Sequence, residues 1–357
     1  MKKAANAADV AAMSASAPTS PAPADVLVLK PSSFGDIIHT LPAVHFLKAA
    51  MPASRFHWVV NPEWASLLEG NPDLASVIVF PRRELRGLAA VPGFLKWCSR
   101  ARASSKNGEF DLAVDFQGLL RSALMAKGCR ARRVLGLSDA REGAGAFYHG
   151  CADTRGMAHA VDRYLALARL AGADTSGPAI FPLPHGEPIP GADPAMLSRA
   201  VVLHPFARGE GKSLPFEMIE TIIRKLAPHP VILAGVGGPA GHIWPDGVVS
   251  LLGQTSLSQL IWLLRHASAV VSVDSGPMHL AAALGRPLLG LHTWSDPRAV
   301  GPWRADAHVW KSGLLLRVDA LASADPAWAS GPGKWEGSLP GDVGAWMETV
   351  GARDGLT

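Results

Sequence analysis

Val26-Leu27-Val28-Leu29-Lys30-Pro31-Ser32-Ser33-Phe34-Gly35-Asp36-Ile37-Ile38-His39-Thr40-Leu41-Pro42 is the stretch that decides the fold. Its four leading apolar residues are too few for a helix and suit a strand buried on both faces. A turn of small residues follows, Ser32, Ser33 and Gly35, and then a helical pattern over 39–50. Strand, turn and helix in that order open a βαβ unit of a parallel sheet. In such open sheets ligands bind beyond the carboxyl ends of the strands. The free N–H groups of the turn can therefore meet an anion or a sugar hydroxyl. Asp36 stands at the helix start. It can serve the backbone there as a cap, or offer its carboxylate to a cleft. The turn fits neither GxGxxG nor GxxxxGK(S/T), so dinucleotide and P-loop chemistry lack their fingerprints.

The same alternation runs outward. Phe56–Val60, Val77–Phe80, Leu112–Val114 and Val134-Leu135 read as strands, and 62–70, 84–103 and 119–128 as helices. Asn61-Pro62 is a start signal, a cap followed by proline in the first turn. Pro178, Pro182, Pro184, Pro188 and Pro190, with Gly177, Gly186 and Gly191, cannot continue a helix or a central strand. They mark residues 173–198 as a linker. Beyond it, strands at 201–203, 231–233, 269–273 and 287–291 alternate with helices at 215–227, 256–267 and 277–284. Past residue 293 Gly, Pro and Trp predominate, which predicts loops and a last helix near 341–350. The expected organisation is a disordered Ala/Ser/Pro-rich tail (1–24), a doubly wound α/β domain (25–172), the linker, and a second such domain (199–357).

The chain has 357 residues, enough for two domains at ~150 each. Apolar residues make up 48% and charged residues 18%, which excludes a disordered chain. A net charge of +4 is too mild to imply nucleic acid, and no partner of that kind is expected. Cys98, Cys129 and Cys151 form neither a CxxC pair nor a disulfide framework, so a reducing compartment is the default. No run of about 18 apolar residues offers a spanning helix.

Three further strand ends carry polar residues. Ser272-Val273-Asp274-Ser275-Gly276-Pro277-Met278-His279 joins a strand to a helix. Its N–H groups and the Ser275 hydroxyl suit an anion, and Asp274 suits sugar hydroxyls; a capped turn over a buried His279 is the plainer alternative. His204-Pro205-Phe206-Ala207-Arg208-Gly209-Glu210-Gly211-Lys212 follows strand 201–203, where Arg208 and Lys212 can neutralise phosphates or form a solvated basic loop. Asp115-Phe116-Gln117-Gly118-Leu119-Leu120-Arg121-Ser122 presents its polar groups from the first domain. Residues 82–106 hold seven Lys/Arg against one acid, Glu84, with Leu85, Leu88, Val91, Phe94, Leu95 and Trp97 interleaved. That pattern suits an anionic surface, lipid headgroup or phosphorylated acceptor, or a solvated helix face.

Taken together, these motifs resemble those of the lipopolysaccharide heptosyltransferases, and of the heptosyltransferase I branch more than the second-heptose branch. Lys30–Pro42 resembles the family's K-x-S-S-x-G-D-x-x-H-T-L-P, Asp115–Ser122 its D-x-Q-G-L-x-(K/R)-S, and Ser272–His279 its S-V-D-(S/T)-G-x-x-H. Ser295-Asp296-Pro297 resembles its T-D-P. The resemblance runs from about residue 26 to 303 with the motifs in order. It implies a GT-B fold, two Rossmann-like domains facing across a cleft, and metal-independent inverting transfer of a heptose from ADP-heptose to the inner core of a lipid A precursor. By this resemblance Asp36 is the general base, and Lys212, Asp274, Ser275, Gly276 and His279 hold the donor. Ser32, Ser33, Gly35, Gln117 and Arg121 are assigned to the acceptor, an anionic glycolipid. No cofactor or metal is implied. The protein is expected in the cytoplasm, with peripheral contact to the inner membrane. The sequence departs from the family at Phe206-Ala207, where small or hydroxylated residues are usual. It departs again at Lys212-Ser213-Leu214-Pro215 for K-x-W-P, and at Gly237-Gly238-Pro239-Ala240-Gly241 for G-G-P-x-E. A transferase using another nucleotide sugar, and a non-catalytic sugar-nucleotide or glycolipid binder, are the competing functions.

Overall fold

The computed structural model describes residues 23–85, 90–238 and 241–354. The expected tail lies outside the described residues except for Pro23 and Ala24, as do Arg86, Leu88, Pro239 and Ala240.

The first sheet contains β1 (Asp25–Leu29), β2 (Arg55–Val60), β3 (Ser76–Val79), β4 (Phe110–Asp115), β5 (Ala131–Leu137) and β6 (Gly150–Ala152). Its order is β3-β2-β1-β4-β5-β6, and every pairing is parallel. The second contains β7 (Val201–His204), β8 (Val231–Leu233), β9 (Val248–Ser250), β10 (Ala269–Val273), β11 (Leu288–His292), β12 (His308–Lys311) and β13 (Leu314–Arg317). It runs β9-β8-β7-β10-β11-β12-β13, parallel except for the antiparallel β12–β13 pair. Both sheets thus share one winding order. In each, the order reverses beside the first strand, between β1 and β4 and between β7 and β10. A ligand crevice belongs at the carboxyl ends of those strands.

The helices are α1 (Phe34–Ala50), α2 (Ala90–Arg102), α3 (Leu120–Gly128), α4 (Ala160–Leu170), α5 (Pro194–Leu197), α6 (Phe216–Lys225), α7 (Leu257–His266), α8 (Gly276–Ala283), α9 (Pro297–Val300), α10 (Pro326–Ser330) and α11 (Leu339–Asp354). Helix α6 shows the logic of a surface helix: Ile219, Ile222 and Ile223 form the buried stripe, and Arg224 and Lys225 complement its carboxyl end. Helix α7 begins with a capping box in which Ser256 and Gln259 satisfy each other's backbone N–H. Helix α1 is different. Ile37, Ile38, Leu41, Val44 and Leu47 are buried, and so are His39 and Thr40. It is wedged between its own sheet and helices α4 and α8, which places its first turn between the two halves of the molecule.

Several elements differ from those read in the sequence. Residues 62–68 form a 3₁₀ segment rather than an α-helix, as short connectors commonly do. The helix expected over 84–103 begins at Ala90. Helix α4 was not expected. Its stripe of Val161, Tyr164, Leu165 and Ala168 has the i, i+3, i+4, i+7 spacing that signals it. The region after 293 holds a β-hairpin, β12–β13, where loops were expected. Ser312 and Gly313 turn it with φ of 47° and 73°, the left-handed pair that a two-residue hairpin needs. Residues 174–193 contain neither helix nor strand, as their prolines dictate.

Candidate active site

A cavity of about 790 Å³ opens between the carboxyl ends of the two sheets. Ser33, Gly35, Asp36, His39 and Arg163 line it from the first half. His204, Lys212, Asp274, Ser275, Gly276, His279 and Trp294 line it from the second. These side chains come from both switch points and from helices that start beside them, so the winding order of the sheets is what assembles them.

Asp36 both caps its helix and faces the cleft. Its Oδ2 accepts the Ser33 N–H at 3.1 Å and the Ser33 hydroxyl at 2.7 Å. Its Oδ1 accepts the Tyr164 hydroxyl at 3.2 Å and lies 3.7 Å from the Lys30 ammonium. The side chain is 37% exposed. Burial pushes the carboxyl up, but the Lys30 charge and the hydrogen bonds from Ser33 and Tyr164 outweigh it and hold the group below the usual carboxylate range. An ionised, partly exposed carboxylate is what a proton acceptor requires.

Across the cleft, Lys212 Nζ meets Asp274 Oδ2 at 2.6 Å and sits 4.5 Å from the centre of the Trp294 ring. Burial raises the Asp274 carboxyl; His292, Lys212 and Ser295 together lower it further than that. Ser275 caps α8 without a side-chain bond to the helix. Its hydroxyl instead donates to Val273 O at 3.0 Å and lies 3.3 Å from His204 Nδ1. The Phe206 departure has a packing account. Its ring is buried, and a Cβ at Gly237 would stand 3.0 Å from it. Gly237 has φ of +137°, so the glycine loop both turns there and makes room for the phenyl ring.

The two halves meet through glycines. A Cβ on Gly35 would come within 2.5 Å of His279 Cδ2, and a Cβ on Gly276 would overlap the Phe34 ring. Phe34 is stacked in turn on Trp64, centroids 5.3 Å apart. His39 Nε2 and His279 Nδ1 are 3.0 Å apart, joining α1 to α8. His159 packs edge-on to His39 and lies 3.1 Å from Gly301 O through Nε2. Burial holds all three imidazoles below their usual range, His279 at about 4. They are therefore neutral at pH 7. Gly35→Ala should destabilise the protein by about 1–3 kcal/mol in a denaturant titration, because the added methyl overpacks this contact. Ala is the better helix former by up to about 1 kcal/mol, so a stabilised variant would show that the helices do not approach so closely in solution.

Ser32, Gln117 and Arg121 lie apart from Asp36. They line a separate cavity of about 130 Å³ with Arg82 and Asn61. Asp115 shapes this region from within. It is buried, and accepts the N–H groups of Gln117 and Gly118 and the hydroxyls of Ser122 and Tyr148. Gln117 Oε1 then accepts the Ser32 N–H at 3.3 Å. Ser33 and Gly35, assigned with them to the acceptor, line the large cleft instead. Lys30, His39, Tyr164, Arg163 and Trp294 were given no role from sequence. Lys30 and His39 stood inside the quoted motif; Tyr164 and Arg163 lay on the unrecognised α4. Among the described residues no group of three or more His, Cys, Asp or Glu side chains is placed to hold a metal ion.

Residues 100–314 match glycosyltransferase family 9 (heptosyltransferase). Lipopolysaccharide heptosyltransferase 1 of Pseudomonas aeruginosa is 31% identical over 302 residues, covering 80% of this chain and 83% of that protein. This chain belongs to glycosyltransferase family 9. Lipopolysaccharide heptosyltransferase 1 of Escherichia coli K12 is 29% identical over 300 residues, 77% of this chain and 90% of the relative. Among solved structures, E. coli heptosyltransferase WaaC with ADP superposes with a TM-score of 0.71 at 24% identity, over 91% of this chain and 99% of that one. WaaC with ADP-2-deoxy-2-fluoro heptose does so with 0.66 at 25% identity, over 81% and 93%. The family 9 fold is GT-B, and the two sheets facing one cleft are its two Rossmann-like halves.

Proposed function

We propose that this family 9 enzyme transfers a heptose from ADP-heptose to the inner core of a lipopolysaccharide precursor, with inversion at the anomeric carbon and Asp36 as the general base. The observation that carries this reading is the placement of an ionised Asp36 across one cleft from Lys212, Asp274 and the start of α8. A sugar hydroxyl is a poor nucleophile at neutral pH. Asp36 takes its proton as the oxygen attacks the anomeric carbon, which is worth roughly 10²–10⁴-fold in rate. The leaving diphosphate gains charge as the bond breaks. Lys212 and the Gly276 N–H at the start of α8 supply the compensating positive charge. Asp274 and His279 orient the donor. In this reading residues 25–172 bind the acceptor and 199–357 the donor. The names of the relatives, lipopolysaccharide heptosyltransferase 1 in both P. aeruginosa and E. coli, support the donor and acceptor class. The direct test is incubation with ADP-heptose and a heptose-free lipopolysaccharide precursor. ADP release with a one-heptose mass gain is expected. Gain only from a different nucleotide sugar would reassign the donor.

The acceptor side offers a surface of matching chemistry. Phe80, Leu85, Val91, Phe94, Leu120 and Leu124 line an apolar groove of about 380 Å³ that Arg121 and Glu142 also border. Arg82, Arg83, Lys96 and Arg100, in and just before α2, are exposed. No described helix is long and apolar enough to cross a membrane. In this reading the groove and the basic residues meet an anionic glycolipid at the cytoplasmic face of the inner membrane. Reversing the charge at Arg100 and Arg102 should weaken association with anionic vesicles and flatten its salt dependence. Unchanged co-sedimentation would make α2 an ordinary solvated helix.

A further inference from the structure

We infer that Tyr164 and Lys30 are positioning residues for the catalytic carboxylate: the Tyr164 hydroxyl, held by the Lys30 ammonium, fixes Asp36 Oδ1 and keeps one of its lone pairs open to the acceptor. This deepens the reading of Asp36 as the base and rests on it.

The direction of each hydrogen bond follows from the groups. An ammonium only donates. Lys30 Nζ donates to Phe116 O at 3.1 Å and to the Tyr164 oxygen at 2.8 Å. The single proton of the Tyr164 hydroxyl is thereby left for Asp36 Oδ1, 3.2 Å away. Lys30 and Tyr164 are each only 3% exposed, so water does not compete for these bonds. On the other oxygen, Oδ2, both acceptor directions are taken by the Ser33 N–H and hydroxyl. Oδ1 has one firm partner, with Lys30 beyond hydrogen-bond reach at 3.7 Å. Oδ1 is therefore the oxygen with capacity left for a proton. The Ser33 cap and the Tyr164 bridge grip the carboxylate from two sides, which is how a base is held in a productive orientation.

The bridge is built from three separate elements. Lys30 directly follows the first strand, Tyr164 comes from α4, and Asp36 from the first turn of α1. The Tyr164 ring is seated edge-on against Phe116, centroids 5.6 Å apart, so it cannot swing freely. The charged and titratable groups that act around this carboxylate are Lys30 from β1, Arg163 and Tyr164 from α4, His39 from α1 itself and His279 from α8. Asp115 also acts on Lys30 from the end of β4. Of these, Lys30 and Tyr164 act on the carboxylate through the chain of bonds just described. Removing a donor from a carboxylate disfavours the ionised form, so its pKa rises and the acid limb of the rate profile moves to higher pH.

The test is a pH profile of kcat and KM, with ADP-heptose and the precursor, for the wild type, Tyr164→Phe, Lys30→Met and Asp36→Asn. Tyr164→Phe keeps the ring and deletes both bonds. It should move the acid limb of kcat/KM up by roughly 0.5–1 unit and lower the plateau kcat by about 10-fold, with KM for the donor unchanged. Lys30→Met should shift the limb in the same direction. Should that variant fail to fold, Tyr164→Phe decides alone, since a ring without its hydroxyl fits the same space. An acid limb in Tyr164→Phe that superposes on the wild type overturns the proposal, including the case where activity falls equally at every pH. If Asp36→Asn is inactive while the Tyr164→Phe limb is unshifted, only the positioning role is lost. If Asp36→Asn retains turnover, the base assignment and this proposal fall together.

Discussion

Asp36→Asn leaves the protein folded, binds donor as the wild type does, and turns over about 10²-fold or more slowly. Asparagine is the sharpest probe because its amide oxygen still accepts from the Ser33 N–H and so keeps the start of α1 capped. What it loses is the capacity to take a proton. The ion pair with Lys30 is also lost. That pair spans 3.7 Å, and although the carboxylate is 37% exposed the ammonium is buried, so some stability is lost, about 1–3 kcal/mol. The separation of effects is the signature: kcat falls by orders of magnitude, while the protein stays folded and donor affinity stays close to wild type. Near-wild-type turnover would leave Asp36 as a helix cap alone.

Lys212→Ala weakens binding of ADP by about 10-fold or more and binding of adenosine by less than about twofold. Two effects add. The ammonium that faces the diphosphate is gone, and Asp274, its 2.6 Å partner, is left as an uncompensated carboxylate beside the phosphates. In the proposed site Asp274 and the phosphates are then like charges that repel, and the cleft screens them less than bulk water does. Calorimetric titration of both ligands reads the difference. Equal losses for nucleotide and nucleoside would place Lys212 away from the phosphates.

The winding of the fold was legible because it is written locally. Val26–Leu29, Val201–Leu203 and Ala269–Val273 are short apolar runs followed by turns, and each became a strand whose carboxyl end lines or borders the cleft. That is why Asp36, Lys212 and Asp274 could be placed at the cleft they line. Tyr164 was not, because its role depends on Lys30 and Asp36, which are 134 and 128 residues away in the chain. Periodicity reveals that a tyrosine faces a core, never which carboxylate its hydroxyl will reach. His159 is a similar case, pairing with Gly301 O in the other half. Ser32, Gln117 and Arg121 sit where sequence alone did not place them: Asp115 folds their loop around its own carboxylate, and they line a smaller cavity beside the cleft. The β12–β13 hairpin was hidden because Trp310 and Ser312-Gly313 look like loop composition. Only its alternation across the antiparallel pair identifies it.

Gly35 and Gly276 seat the His279 and Phe34 rings of the opposite halves. Seats without side chains set how closely α1 and α8 approach, and with them the gap between Asp36 and the start of α8. A methyl at either one would have to push the facing ring back, by about 1–2 Å, and so loosen that closure. Water admitted beside an activated sugar competes with the acceptor hydroxyl for the same anomeric carbon. In the proposed reaction, the glycolipid formed per donor consumed thus depends on two absent side chains. A bulkier residue at either seat would show itself first as free heptose in the reaction mixture, before any loss of affinity for either substrate.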